Sequence, residues 1–274
     1  MPKNDQSVVK PYKSDFLIIG KEKDSFIESF IGEDLNSPDK GEFFIIVEIL
    51  NHYLEGEDIG ESLTECFRKS FYKDLDEPID SYTRFENGLK AVNDVARELQ
   101  ESANLDLSSI NVSIGAIVGN ELFLSQANDA EVYLVRKGFI TNISEGLSTK
   151  GRKAEDDDLF ENVATGELQV GDMILFTTTR LFRYIAQNEL GRLFFGKNLH
   201  DSLETLEDAL MTEILGRIGV IGLKFTQTPE GLESQEKINS LPEKSLLSSG
   251  GVKYYLQKLG VKFTDYLATI FSGK

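Results

Sequence analysis

The sequence predicts an α+β protein in which helices are layered on antiparallel β-structure. Three observations carry this. Residues 110–143, INVSIGAIVGNELFLSQANDAEVYLVRKGFITNI, alternate with period two and are broken by Gly119-Asn120 and Lys137-Gly138, which reads as a β-meander of three or four short strands in a row. Ahead of it stand two long stretches with apolar residues at helical spacing, each with one apolar stripe that needs a surface to cover it. Short apolar runs bounded by Gly, Pro and Asp lie on both sides of these elements and read as further strands.

Taken in order, residues 1–13 are polar and read as a loose or edge segment, and Asp15–Ile19 is a short strand ended by Gly20. A charged turn, Lys21 to Asp24, leads into Ser25–Ile31, and a turn at Pro38–Gly41 leads into Phe43–Val47, apolar throughout and so suited to the middle of a sheet. The first helix is expected from Glu57 to Lys73, with Ile59, Leu63, Cys66, Phe67 and Phe71 on one face and acidic residues in its first turns, where the helix dipole favours them. A loop at 74–82 precedes a second helix, Thr83 to Ser102, with Phe85, Leu89, Val92, Ala96 and Leu99 inward. After the meander, 144–158 is a polar, charged loop whose Asp156-Asp157-Asp158 run reads as a solvated surface. Met173–Thr179 is a strand, 180–200 holds a helical stretch, and Ser202–Leu215 is a helix capped by Asp201 or Ser202. Gly219–Phe225 is the last strand of the compact part.

Beyond it, 226–251 is rich in Ser, Glu, Pro and Gly without an apolar period and reads as a linker. Residues 252–274 differ. Val252, Tyr255, Leu256, Leu259, Phe263, Tyr266, Leu267 and Ile270 form an apolar stripe, accompanied by Lys253, Lys258 and Lys262 against Asp265. A basic, aromatic amphipathic helix after a linker suits a membrane surface or a groove on a partner; folding back on its own domain is the alternative.

Composition narrows the function. The 274 residues carry a formal net charge of −17, which argues against nucleic acid as a partner, because phosphate contacts need a basic surface. A single Cys excludes an internal disulfide and a multi-Cys zinc site, and a count of two His argues against a histidine-rich metal site. No secretory signal or membrane-spanning run is visible, so a cytoplasmic location, peripheral to the membrane if the last helix docks there, is the expectation.

Four places give the chain a resemblance to the metal-dependent, type 2C protein Ser/Thr phosphatases over residues 14–225. In GEFFIIVEILNHYLEGEDIGES (41–62), Gly56-Glu57 match the Gly-Glu that opens the family's first long helix, while Glu48-Ile49 stand at its metal-binding Asp-Gly. In 117–138, Asn128-Asp129-Ala130-Glu131 stand at its Gly-Asp-Ser-Arg segment. In 166–182, Gly171-Asp172 and Leu181 match, but Thr179-Arg180 replace a metal Asp and its Gly. The closing Asp-Asn falls near Arg217–Gly219, where there is no carboxylate, and the early Glu-Asp pair corresponds best to Lys23-Asp24.

The resemblance implies a four-layer α-β-β-α sandwich of two antiparallel sheets flanked by helix pairs, with the C-terminal amphipathic helix added. It also implies a site that normally holds two divalent cations through several carboxylates, which activate water and neutralise phosphate. Asp24, Glu48, Ile49, Asp129, Thr179 and Arg180 are its degenerate remnant. Loss of the other ligands, with Arg180 competing for space and charge, implies no resident cofactor and a non-catalytic, phosphatase-like binding or scaffold module with a protein partner. The alternative is an active phosphatase with a reduced Mg or Mn site on Asp24 and Glu48. A third reading is another layered α/β fold that matches by coincidence. His52, near the same turn, reads as an ordinary turn residue.

Overall fold

The structure is a computed structural model and describes residues 9–20, 25–33, 38–51, 56–73, 78–148, 158–214 and 216–227. Asp24, His52, Lys21, Lys23 and the whole of 228–274 lie outside the described residues, and with them the expected C-terminal helix from Val252 to Ile270.

Among the described residues, ten strands form two five-stranded antiparallel sheets. The first has the order β1 (Val9–Ile19), β10 (Ile218–Gln227), β9 (Met173–Thr177), β6 (Glu131–Arg136) and β7 (Phe139–Asn142). The second has the order β2 (Ser25–Glu33), β3 (Glu42–Leu50), β4 (Ile110–Val118), β5 (Glu121–Ala127) and β8 (Ala164–Glu167). Helices α1 (Gly56–Phe71) and α2 (Ser81–Ala103) cover the second sheet, while α3 (Gln187–Phe194) and α4 (Leu199–Leu210) cover the first. The predicted four layers are therefore present.

Three apolar clusters hold the layers together. Under α1 and α2, Phe43, Phe67, Phe71, Phe85 and Phe123 pack edge-on and stacked, with Val112, Ile114 and Ala116 of β4 facing them. Under α3 and α4 the cluster includes Tyr133, Leu175, Leu190, Phe194, Leu203 and Val220. Between the sheets sit Phe44, Ile46, Leu124, Val132, Ile174, Phe176, Ile221 and Phe225. A strand buried on both faces cannot show its sheet by alternation, and this explains the main departure from the sequence reading. The meander is not one sheet: β4 and β5 pair in the second sheet, whereas β6 and β7 belong to the first. The chain crosses between sheets at Asn128-Asp129-Ala130, where Asn128 has φ +56°, a left-handed turn that Asn tolerates better than most residues. At Gly115 of β4 a Cβ would lie 2.4 Å from Phe176 of the opposite sheet, so the sheets approach closely there because this residue has no side chain.

Other boundaries move for local reasons. The strand expected from Asp15 begins at Val9, because it pairs along the edge with β10, with a register shift between Pro11 and Lys13. Helix α2 starts before Thr83 because Asp80 Oδ1 accepts a 2.8 Å bond from the Thr83 N–H. Helix α4 is capped by Asn198, not by Asp201 or Ser202: Asn198 Oδ1 accepts from the Asp201 N–H at 2.9 Å, and buried Leu199 extends the apolar stripe one turn earlier. It ends at Leu210, short of the expected Leu215. Residues 180–200 hold a 3₁₀ turn (Leu181–Arg183) and α3 in place of one continuous helix.

Candidate functional site

The strand ends singled out in the sequence converge at one end of the space between the sheets, where the apolar filling gives way to polar side chains. Glu48 lies near the end of β3 and is 5% exposed. Alternation on a strand whose odd positions (Phe43, Ile45, Val47, Ile49) belong to the helix-covered cluster turns Glu48 toward the opposite sheet. Its Oε1 accepts a 2.8 Å bond from Ser25 Oγ, and its Oε2 accepts a 3.0 Å bond from Asn111 Nδ2, Asn111 being its register partner on β4. Ile49 is fully buried under the helices in regular strand; the left-handed turn comes two residues later, at Asn51 with φ +63°.

Asn111 links the two sheets, since its Oδ1 accepts a 3.1 Å bond from the Asp129 N–H. The turn is held from below by Asn128 Nδ2, which donates to the Leu107 and Ile110 carbonyls at 2.8 and 2.7 Å. The Asp129 carboxylate is shared by two guanidinium groups. Arg180 Nη2 lies 2.9 Å from Oδ1, Arg183 Nη2 donates to Oδ1 at 3.1 Å, and Arg183 Nη1 donates to Oδ2. Hydrogen bonding to Asp129 pushes the Arg183 guanidinium still higher in pKa, so it stays charged. Glu131 lies 3.9 Å from Arg180 and accepts from the Tyr133 hydroxyl, which in turn accepts a 2.8 Å bond from the Leu181 N–H. Burial, and then the Glu131 carboxylate, push the Tyr133 phenol well up, and it remains a neutral donor.

Thr179 is half-buried, and its carbonyl lies 2.7 Å from Thr177 Oγ1. The hydroxyl of its neighbour Thr178 accepts a 3.0 Å bond from the Gly219 N–H. Arg217 points across to the second sheet and donates from Nη1 to the Ser25 carbonyl at 2.9 Å. A chain of hydrogen bonds and ion pairs thus runs from Arg217 through Ser25, Glu48 and Asn111 to Asp129, Arg180 and Arg183. Beside it opens a cleft of about 400 Å³ whose lining includes Gln126, Asn128, Glu131, Ser144, Arg180 and Gln187. Gln126 is 6% exposed, and its buried Oε1 has no hydrogen-bond partner among the described residues; nor has the hydroxyl of Ser113, its register partner on β4.

Of the residues the sequence singled out, Glu48, Asp129 and Arg180 belong to this network, Thr179 is bonded beside it through its carbonyl to Thr177 Oγ1, and Ile49 faces away from it. Asn111, Arg183, Tyr133 and Gln126 were missed, and Arg217 was named only as the place where the closing Asp-Asn falls. A signal existed for Asn111 and Gln126: both are polar residues inside otherwise apolar strands. For the two arginines there was none, because their partners, the Asp129 carboxylate for Arg183 and the Ser25 carbonyl for Arg217, are set by tertiary contact.

A two-cation centre needs several oxygen ligands converging on open coordination positions. Among the described residues no three His, Cys, Asp or Glu side chains are grouped so as to hold a metal ion. Glu48 has both oxygens accepting from neutral donors, Asp129 is neutralised by guanidinium groups, and an Arg follows Thr179. The described donor set does not fit such a centre.

Two five-stranded antiparallel sheets between helix pairs, with these strand ends at the cleft, have the fold of the type 2C Ser/Thr phosphatases. The chain is similar to PppA, described as a key regulatory component of T6SS in Pseudomonas aeruginosa, at 16% identity and a TM-score of 0.58, over 79% of this chain and 99% of that one. It is similar to the S. agalactiae serine/threonine phosphatase at 16% identity and a TM-score of 0.55, over 77% of this chain and 99% of that one. It is also similar to the Mycobacterium tuberculosis phosphatase PstP/Ppp at 14% identity and a TM-score of 0.54, over 78% and 99%. A PstP catalytic domain has been solved in complex with two manganese ions. At these identities the likeness concerns the fold. No family model and no curated protein matches the sequence.

Proposed function

We propose that the chain is a non-catalytic, phosphatase-like binding module whose partner is a protein, with residues 14–225 as the phosphatase-like domain, 226–251 as a linker and 252–274 as a docking helix. The observation that carries this reading is the Arg180–Asp129–Arg183 cluster. Two guanidinium groups share one carboxylate at the strand ends where the phosphatase resemblance expects a metal carboxylate and its glycine. A fixed positive charge there repels a divalent cation, and without the cation no water is activated by this route. The surviving cleft, polar and with the buried Gln126 oxygen without a hydrogen-bond partner among the described residues, offers the partner a recognition surface built on a rigid sandwich. PppA and an M. tuberculosis chain that comprises RsbU and RsbW domains are similar to this chain in structure. PppA's description as a regulatory component is consistent with protein recognition on this scaffold.

The test is hydrolysis of phosphopeptides by the full chain with Mn²⁺ or Mg²⁺, alongside calorimetric titration with each ion. The proposal expects neither turnover nor binding at micromolar concentrations. One observation favours a second reading. Glu48 retains a buried carboxylate at a metal-ligand position, so a reduced site with Asp24, which lies outside the described residues, would give an active phosphatase. Metal-dependent turnover abolished by Glu48→Ala would establish that reading and sink the first.

A further inference from the structure

Both sheets end together on the side of the sandwich remote from Glu48, and the surface there is not explained by the cleft. Of the five large apolar side chains exposed among the described residues, three lie at this end. Phe139 follows the β6–β7 turn at Lys137-Gly138 and is 78% exposed. Phe195, just beyond α3, is 66% exposed and lies over that turn: a Cβ on Gly138 would sit 2.6 Å from its ring. Val170 is in the β8–β9 connection at the same end, where the Gly171 N–H donates to the Phe225 carbonyl and Asp172 pairs with Arg136 at 2.6 Å. Exposed apolar side chains gathered in one place mark an interaction surface.

Charge indicates what covers it, because it divides this end into two strips. On the first sheet's side Lys137, Arg192 and Lys197 are exposed, and half-buried Lys224 donates to the Lys197 carbonyl at 3.3 Å. Lys137 has φ +53°, a conformation that such hairpin turns reserve for Asn, Asp or Gly, so the turn itself gains nothing from a lysine. On the second sheet's side Glu33, Asp39, Glu121 and Glu167 are exposed and Glu42 is half-buried. Glu121 and Glu167 stand directly opposite one another on β5 and β8, as do Glu33 and Glu42 on β2 and β3. Like charges opposite one another across strands are unfavourable. Arg136, whose Nη2 reaches the Glu167 carbonyl at 3.0 Å, is already paired with Asp172. Lys40, which donates to the Tyr72 carbonyl, Asp201, which accepts from Asn198, and the Asp15–His200–Glu204 group flank the strips. Among the described residues no ion pair joins the exposed cations of the first strip to the exposed carboxylates of the second. A partner of one charge sign would satisfy one strip and oppose the other. A second copy of the chain, turned about a two-fold axis running between the strips, sets each basic strip on an acidic one and encloses the apolar side chains.

We infer that this end is a self-complementary interface through which two copies of the chain associate, with Lys137 and Lys197 of one copy facing Glu121 and Glu167 of the other. The cleft lies at the opposite end of each copy, so the pair presents two open clefts. Sedimentation velocity of the full chain over a concentration series tests this, and a monomer–dimer equilibrium is expected. Phe139→Ser/Phe195→Ser, exposed changes with the fold checked by circular dichroism, is expected to weaken the dimer roughly tenfold or more. Lys137→Asp/Lys197→Glu makes the end predominantly acidic, and Glu121→Lys/Glu167→Lys makes it predominantly basic. Each charge variant alone is expected to be monomeric, and the two mixed are expected to pair. A chain that stays monomeric at every concentration would overturn the proposal. So would a dimer untouched by the phenylalanine changes, since the contact would then lie elsewhere. Folded charge variants that dimerise alone, or that fail to pair when mixed, would overturn it as well.

Discussion

The two ends of the space between the sheets are built by the same strands and filled in opposite ways. At one end Phe44 and Phe176 stack with ring centroids 6.3 Å apart, among Ile174, Ile221, Leu223 and Phe225. At the other, Ser25, Glu48, Asn111, Ser113, Gln126 and Thr178 are buried. The apolar end needs nothing but close packing. The polar end survives because Ser25, Glu48 and Asn111 bond to one another within the second sheet and Asn111 and Arg217 bridge to the other, while Ser113 Oγ and Gln126 Oε1 have no hydrogen-bond partner among the described residues. Stability is concentrated at the first end, and recognition chemistry at the second.

The largest effect expected from breaking this division is at the apolar end. Phe176→Ala opens a cavity between the sheets and is expected to cost about 3–5 kcal/mol in urea denaturation. Gly115→Ala forces a methyl against the same ring at a cost of about 1–3 kcal/mol, and adding Phe176→Leu is expected to recover part of it, which would show the two positions to be coupled. At the polar end Glu48→Ala strands the Ser25 hydroxyl and the Asn111 amide, for an expected loss of about 1–3 kcal/mol, while Glu48→Gln costs less because it keeps an acceptor. If Glu48→Ala proved stabilising, the carboxylate would be held in the fold at a cost, and the case for a metal or ligand at Glu48 would gain.

Smaller still is the half-exposed Asp129 cluster. Asp129→Asn is expected to change stability by no more than about 1 kcal/mol, since solvent screens the pair. Partner capture is the more sensitive readout, because both arginines are then released. The smallest expected effect lies outside both ends. His200 is exposed, and its hydrogen bond to Asp15 at 2.8 Å raises the imidazole pKa, with Glu204 adding to the field. The resulting stabilisation is present in full below the unfolded imidazole's value of about 6.5 and disappears as pH rises through the higher folded value. NMR titration of the His200 ring should show the raised midpoint, and Asp15→Asn should bring it back down.

Much of the layered architecture was legible in the residues. The helical stripes on α1 and α2 and the apolar run Phe43–Val47 required no knowledge of neighbours, since periodicity is a local property of the backbone. Partition of the strands was not legible. Val112 to Val118 alternate convincingly, but with helices on one face and a sheet on the other both faces are buried, and alternation loses its meaning as a guide to which strand pairs with which. The cap of α4 was misplaced because Ser, Asp and Asn all qualify chemically, and only packing of Leu199 selects Asn198.

The candidate site divides in the same way. Residue identities alone determined that Glu48 keeps a carboxylate and that Thr179-Arg180 and Arg217–Gly219 do not supply one, because the absence of a ligand type can be read without coordinates. Only the tertiary structure decided that Arg180 and Arg183 close on the same Asp129, that Asn111 joins Glu48 to that turn, and that Arg217 reaches Ser25. These contacts join residues far apart in the chain. Long side chains carry no local mark of their partners, which are set by the antiparallel register and the crossing at Asn128.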